Sequence, residues 1–448
     1  MQKMSYFLLG CLMLISVSFV VAGTEVFYLQ HSVVLILATT LLVAGRKFRF
    51  GRLSRLDRLV FAYFCWILIS YIISGAISAL DWNPQTEFRR CASLFMVCSL
   101  GAAFPVGRLI LRKASFQMKH LVWGLIGTYV LTAGYTLYQM YGIGLADLFM
   151  ARDAIGQRLP FVLCFVATIV LALAVFWKRQ RLALLAIFTL GIAVVLLSLT
   201  RAAYLQLALS LVALGGYLAL KKPRSGLIVL GSLALLLAAG GGIVASHEQD
   251  ASQAVLSRIE QIGRVEEQAT VDVSGSYRLA MWRALTGKMS ESPVRWLVGY
   301  GQLGASFVVQ DVEYDHGIIE SASAHSQYMD VLVREGVVGL VLFCLCFGEL
   351  VRIGLFRLSR FEPHLRPIIF SHSIALIGVA VYGLFHETVR YPMFGFYFWI
   401  YAGIVAKLLS DSGTAPPSIL DAGQSASPNG KWNTEAGGTA PGISCLPT

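Results

Sequence analysis

Apolar segments long enough to cross a bilayer recur along nearly the whole chain, and this constrains the fold more than any other feature. A helix rises about 1.5 Å per residue, so roughly 20 apolar residues bridge a hydrocarbon layer about 30 Å thick. Such stretches read as Tyr6–Val21, Val26–Gly45, Leu59–Ala79, Cys91–Val106, Leu121–Tyr141 and Leu159–Trp177. They continue as Leu182–Leu199, Ala202–Leu220, Gly226–Ala245, Val337–Val351, Pro367–Phe385 and Met393–Leu409. The expected fold is all-α, a polytopic transmembrane helical bundle of about 12 spans. Composition agrees with it. Of 448 residues, 56% are hydrophobic and 14% charged, with a mean hydropathy of +0.68. A soluble domain would carry about 25% charged residues.

The net charge of +11 could suggest nucleic acid, but its distribution argues for a membrane. The basic residues sit in short clusters between apolar runs: Arg46 to Arg58, Arg108 to Lys119, Lys178 to Arg181, Lys221 to Arg224, and Arg352 to Arg366. With Lys3, about 21 basic residues fall on one side against roughly six opposite, so both termini are expected in the cytoplasm. The first segment precedes Ala22-Gly23, which resembles a signal-peptide cleavage site, yet it reads as a retained span.

This orientation divides the chain into residues 1–245 with nine spans, a large extracytoplasmic loop at 246–336, and residues 337–409 with three more. The tail at 410–448, rich in Gly, Pro, Ser, Ala and Thr, is expected to be disordered. Within the loop, Val255, Ile259 and Ile262 recur at helical spacing, as do Arg278, Met281, Trp282 and Leu285. A polar loop on a rigid bundle is a natural place for chemistry.

Several motifs carry little. Seven cysteines lie within apolar runs and Cys445 in the tail, without a Cys-x-x-Cys pair, so neither a disulfide framework nor a zinc site is indicated. Gly299-Tyr300-Gly301-Gln302-Leu303-Gly304 fits G-x-G-x-x-G, but it follows a Trp-containing helix rather than a strand, so a Gly-rich turn is expected. Asp311, Glu313 and Asp315 alternate, yet His316 and Ala322 break the EF-hand pattern and leave a solvated acidic loop, with no metal expected.

Three residues are more informative. Arg201 stands between two apolar runs at an extracytoplasmic hairpin turn, where it can snorkel or grip an anion through its planar fork. Arg278 falls in the first turn of an expected helix capped by Ser274 or Ser276. His325 precedes a pattern running from Tyr328 to a stop at Gly336, with Ser323 as the expected N-cap. A first-turn histidine feels the positive end of the helix dipole, which favours the neutral imidazole that a general base needs. On the same face, Arg152 and Arg158 precede a span as secondary phosphate contacts or helix-end anchors, and His386, Glu387 and Arg390 share a short loop where Glu387 would orient His325 or hold an arginine.

In combination these residues resemble the O-antigen ligase family. His325-Ser326 followed by nine residues to Gly336, then two to Gly339, matches its histidine signature. Arg201 and Leu205 match its Arg-x-x-x-Leu signature, and the Arg278–Trp282 helix before a Gly-rich turn is similar to the ligase/polymerase superfamily. The resemblance covers all but the tail. It implies an inverting, metal-independent glycosyltransferase of the inner membrane, with the large loop and the active site periplasmic. His325 would be the base, and Arg201 and Arg278 would hold the diphosphate. The implied partners are undecaprenyl-diphosphate-linked O-antigen, lipid A-core and membrane lipids, with no cofactor and no nucleic acid. An O-antigen polymerase or a protein O-oligosaccharyltransferase would share the donor. A secondary transporter, the alternative of another class, would want ionisable residues at mid-membrane, and the spans hold almost none.

Overall fold

The computed structural model describes residues 18–21, 24–28, 53–78, 84–110, 114–143, 159–197, 200–221, 273–309, 312–314, 317–319, 324–389 and 392–412, with isolated positions from 223 to 231. Helices dominate. They are α1 (Arg55–Ser78), α2 (Pro84–Ile110), α3 (Ala114–Ile143), α4 (Leu159–Phe176), α5 (Arg181–Leu197) and α6 (Arg201–Lys221). Loop helices α7 (Val273–Ser290), α8 (Pro293–Val298) and α9 (Ala305–Val308) follow, then α10 (Gln327–Phe356), α11 (Arg366–Tyr382) and α12 (Pro392–Ser412).

Nine of the expected apolar segments coincide with these helices. Among the described residues, Arg55–Ile77, Thr86–Leu109, Ala202–Lys221 and Gln327–Phe356 are each long and apolar enough to cross a membrane. Helices α4 and α5 pass the same test together, bent by 119° at their junction. Gly226–Ala245 lies almost wholly outside the described residues, as do the Val255–Ile262 pattern and the tail beyond Ser412.

Two antiparallel hairpins interrupt the helical pattern. Ser18–Val21 (β1) pairs with Thr24–Tyr28 (β2) where the first two spans were expected to end and begin. Val, Phe, Thr and Tyr crowd these segments, and β-branched and aromatic side chains favour a pleated backbone. Val312–Tyr314 (β3) pairs with Gly317–Ile319 (β4) in the large loop, and β3 rests on α7.

The bundle core is built from two groups of helices. Helix α2 lies along α12, and α10 along α1, while α11 contacts α4, α6 and α10 and joins the groups. The α2–α12 approach depends on small residues. A Cβ on Gly107 would meet the Ile400 carbonyl at 2.1 Å, and one on Gly403 the Phe104 carbonyl at 2.0 Å. Small residues let helix backbones come this close in lipid, where hydrophobic attraction between helices is absent. Ser54 and Asp57 form a capping box, Ser54 N donating to Asp57 Oδ2 at 2.7 Å and Asp57 N to Ser54 Oγ at 3.2 Å. Asp57 then accepts from buried Arg108 of α2 at 2.5 Å, and Arg108 reaches Ser410 of α12 at 3.3 Å.

Helix α10 does not stop at Gly336, as the sequence suggested; it breaks there and continues. Gly336 has φ 71° and ψ −174°, and a Cβ on it would lie 2.1 Å from the Leu297 carbonyl. The break frees carbonyls of the preceding turn, and each must find a donor, because an unpaired backbone group in a water-poor interior costs several kcal/mol. The Gly299–Gly304 segment supplies them. Tyr300 N donates to the Val333 carbonyl at 2.8 Å, and Gly301 N to the Arg334 carbonyl at 2.9 Å. Trp66 Nε1 of α1 donates to the Glu335 carbonyl at 2.8 Å. The G-x-G-x-x-G segment is the expected Gly-rich turn, and its work is to seal a broken helix.

Gly336→Ala should therefore cost about 1–2 kcal/mol in left-handed backbone strain alone, and more from the clash with Leu297. Gly348→Ala in the same helix, where a Cβ meets nothing within 4 Å, should stay within about 0.5 kcal/mol of the parent. Thermal unfolding of the purified proteins checks the contrast.

Candidate active site

Helix α10 begins at Gln327, and its cap is Ser326 rather than the expected Ser323. Ser326 has φ −154° and ψ 128°, and its Oγ accepts from Met329 N at 3.4 Å. His325 thus precedes the cap instead of lying in the first turn. Its φ of 46° places a non-glycine residue in the left-handed region, which costs roughly 1–2 kcal/mol and persists only when neighbours over-determine it. They do so on both sides. Trp282 Nε1 of α7 donates to the Ala324 carbonyl at 2.7 Å, and Gln327 N donates to the Gly383 carbonyl at 2.8 Å. The His325 ring meets the Tyr277 ring edge-on, with centroids 5.6 Å apart.

Helix α7 starts at Val273, so Ser274 and Ser276 lie within it and Arg278 falls in its second turn. Its buried stripe of Met281, Leu285 and Met289 packs with Ala305, Ala324, Leu332 and Val333 in a separate small core. Arg278 and Trp282 are one helical turn apart, on neighbouring positions of one face. Trp282 binds Ala324 and Tyr277 touches His325, so α7 docks against the His325 segment, and half-buried Arg278 follows Tyr277 on that helix.

Three further elements meet at the same end of the bundle. Arg201 is the first residue of α6, whose opening turn is closed by Ala203 N and Tyr204 N donating to the Thr200 carbonyl at 3.0 and 3.2 Å. Gln206 Nε2 donates to the Phe161 carbonyl at 3.2 Å, which ties the start of α6 to the start of α4. The Phe161 ring stacks on Tyr382 at 4.8 Å, and Tyr382 stacks on His386 at 4.7 Å. Gln327 closes the arrangement, its Oε1 accepting from Thr388 N and Val389 N, both at 2.9 Å. The His386-Glu387 turn is thereby bound to the start of α10. Arg152, Arg158 and Arg390 lie outside the described residues, as do Asp311 and Asp315.

The surroundings hold charges that sequence reasoning passed over. Arg334, one turn past Asp330, bonds its Oδ1 at 2.7 Å and also reaches Ser93 Oγ and the Gln302 carbonyl at 2.8 Å each. Arg90, only 2% exposed, bonds Glu87 at 2.6 Å and the Tyr71 carbonyl at 3.0 Å, and approaches the Gly301 carbonyl at 3.4 Å. Arg295 lies 4.5 Å over the Tyr300 ring and donates to Ser74 at 2.7 Å. Burial lowers the Arg295 guanidinium from its ordinary value and raises the Tyr300 phenol. The Asp330–Arg334 spacing was legible as an i,i+4 pair; Arg90 and Gln327 carried no local signal. His372, in mid-span on α11, is satisfied on both ring nitrogens. Its Nδ1 donates to the Ile368 carbonyl at 2.7 Å, leaving Nε2 to accept from the Tyr397 hydroxyl.

Several helices of spanning length among the described residues mark a multi-pass membrane protein. Residues 166–344 match the family model described as O-antigen ligase. The matched stretch contains Arg201, Leu205, Arg278, His325, Gly336 and Gly339, so both signatures read from the sequence fall inside it. The match agrees with the resemblance to the O-antigen ligase superfamily read from the sequence, and it suggests membrane glycosyl transfer of the ligase/polymerase type. No curated protein matches the chain.

Gln327→Leu should release the 383–389 turn without unfolding the bundle. Amide exchange at Thr388 and Val389, read by mass spectrometry, should quicken about fivefold to tenfold, since a hydrogen bond contributes about 1 kcal/mol.

Proposed function

We propose that this protein is an O-antigen ligase of the bacterial inner membrane. It transfers glycan, with inversion, from undecaprenyl diphosphate to a hydroxyl of lipid A-core, completing lipopolysaccharide. The chain crosses the membrane about 12 times, with both termini cytoplasmic and the 246–336 loop periplasmic. What supports the reading is the docking of α7, the helix that carries Arg278, against the His325 segment, with His325, Arg278 and Arg201 all inside the matched region.

His325 takes the proton of the acceptor hydroxyl as that oxygen attacks the anomeric carbon. Its place just before a helix N-terminus favours the neutral ring, because the dipole opposes a second positive charge there. The glycosidic bond breaks through an oxocarbenium-like state and negative charge gathers on the departing diphosphate. Arg201, at the N-terminus of α6, and Arg278 stabilise that charge through bidentate contacts, aided by the backbone N–H groups of the helix start. The donor carries its own leaving group, so no cofactor is proposed. His386 and Glu387, bound to the α10 start through Gln327, position the base from the other side.

His325→Ala should lower turnover by roughly 10²–10⁴-fold while the protein still inserts and binds the lipid-linked donor. Arg201→Lys should lose most activity, since a point charge cannot supply the fork, whereas Arg46→Lys should not. Near-parental turnover of the histidine variant, or equal tolerance of both lysines, would remove those roles.

The acceptor is tested by reconstitution. Supplied with undecaprenyl-diphosphate glycan and lipid A-core, the enzyme should move glycan onto lipid A-core and release undecaprenyl diphosphate. Supplied with the donor alone, it should form no longer lipid-linked chains. Extension without lipid A-core would make it a polymerase, and transfer onto Ser or Thr of a protein would make it an oligosaccharyltransferase.

A further inference from the structure

A second basic site lies at the other end of the bundle. Helix α4 runs from Leu159, two residues before the Phe161 that touches Tyr382, to Phe176, with Trp177 just beyond its end. Its 18 residues span about 27 Å, close to the hydrocarbon thickness of a bilayer. At its far end, the turn Lys178–Gln180 leads into α5, and here a cavity of about 420 Å³ opens. Lys119, Trp177, Lys178, Arg179 and His364 line it.

Its chemistry is two-sided. Lys119 Nζ sits 6.0 Å from the centre of the Trp177 ring, and Trp123 stacks on that ring at 6.1 Å. Lys178 and Arg179 add two cations from the turn. Among the described residues the nearby carboxylate is Glu362, which lies 3.4 Å from His364 and bonds none of the three cations. Leu182, just past the turn, is 83% exposed, so an apolar flank adjoins the cations. A soluble anion uses only the positive charge. A phospholipid uses the charge, the tryptophan wall and the flanking apolar surface together, and tryptophan favours this depth in a bilayer.

We propose that this cavity binds the phosphate headgroup of an anionic membrane phospholipid, in the leaflet opposite the His325 site. Basic pockets between helices at the cytoplasmic surface are suited to such headgroups. Lys119 and the 178–180 turn grip the phosphate, the indole pair covers the glycerol, and the acyl chains run down past Leu182. The site is independent of the glycosyl-transfer reading, since it lies a membrane thickness away from that chemistry.

Native mass spectrometry of the full chain, with phosphatidylglycerol and phosphatidylcholine of matched acyl chains, tests the site. The parent should retain phosphatidylglycerol with a preference on the order of 10²-fold, as three cations at a membrane surface imply. Lys119→Gln, Lys178→Gln and Arg179→Gln combined should abolish the preference, and each alone should reduce it, so a poorly folded triple variant does not decide the matter. Lys407→Gln, which removes a cation paired with Asp411 at 2.5 Å on α12, should leave it unchanged. Millimolar inorganic phosphate should not displace the lipid. Equal retention of both lipids, a preference that survives the substitutions, or displacement by inorganic phosphate would each overturn the proposal, the last assigning the cavity to a soluble anion.

Discussion

The break in α10 at Gly336 is the constraint around which the rest of the structure is arranged. An unbroken helix satisfies its own backbone, whereas a broken one exposes carbonyls that lipid cannot solvate. Here Val333, Arg334 and Glu335 receive donors from Tyr300, Gly301 and Trp66. Three separate parts of the chain are thereby committed to one point: the loop turn at 299–304, helix α1, and the first part of α10. Glycine is required at 336 because the loop's own carbonyl at Leu297 passes within 2.1 Å of where a Cβ would stand. Gly339, the second glycine of the signature, faces a related demand: a Cβ there would sit 2.3 Å from Glu335 Cβ and 3.2 Å from the Trp66 ring. Gly336 thus sets how closely the loop docks onto the helix, and Gly339 how closely α10 turns at its break beside Trp66 of α1.

That docking orients the segment of α10 preceding the break. Residues 327–335 are held from the loop side by α7 and α8 and from the bundle side by Gln327 and Tyr328, whose hydroxyl donates to the Ala380 carbonyl at 2.7 Å. His325 stands two residues before this braced segment. A histidine on a mobile loop would lose much of the advantage of orientation, where a misplacement of about 1 Å can cost on the order of 10² in rate. The strained φ at His325 is tolerated because the bonds at Ala324, Ser326 and Gln327 already fix the chain on both sides.

Much of this was legible in the sequence, and the remainder was hidden for identifiable reasons. Nine apolar segments became helices because length and hydropathy are local properties, and Met281 and Leu285 announced α7 by their spacing. The helix caps were misread at Ser323, because several serines precede α10 and tertiary contacts select Ser326, and at Ser274 or Ser276, because α7 already begins at Val273. The strands at 18–28 went unseen because an apolar run of β-branched residues fits a span as readily as a hairpin. At the candidate site, His325 and Arg201 were visible through spacing, but Gln327 was not. Its role depends on a turn 61 residues away, at Thr388, and no pattern around Gln327 encodes that partner.

The two helical groups of the bundle have separate claims on the proposed site. Helices α4 and α6 bring Arg201, while α10 and the loop helices bring His325 and Arg278. What joins them at this end is an aromatic run, Phe161 on Tyr382 on His386, together with the bonds from Gln327 to residues 388 and 389. Phe394 of α12 also meets Phe161 edge-on at 4.9 Å, so the last helix closes against the same point. Stacked rings resist separation but allow small sliding, and the polar contacts of Gln327 fix the start of α10 to the turn between α11 and α12. In the proposed reaction, the base and the phosphate grip are carried on different helical groups, so each keeps its own support as a long lipid-linked glycan enters between them. The ligation proposed above has two membrane-anchored substrates, and a site divided between two helical groups gives each of them its own side of the bundle to approach.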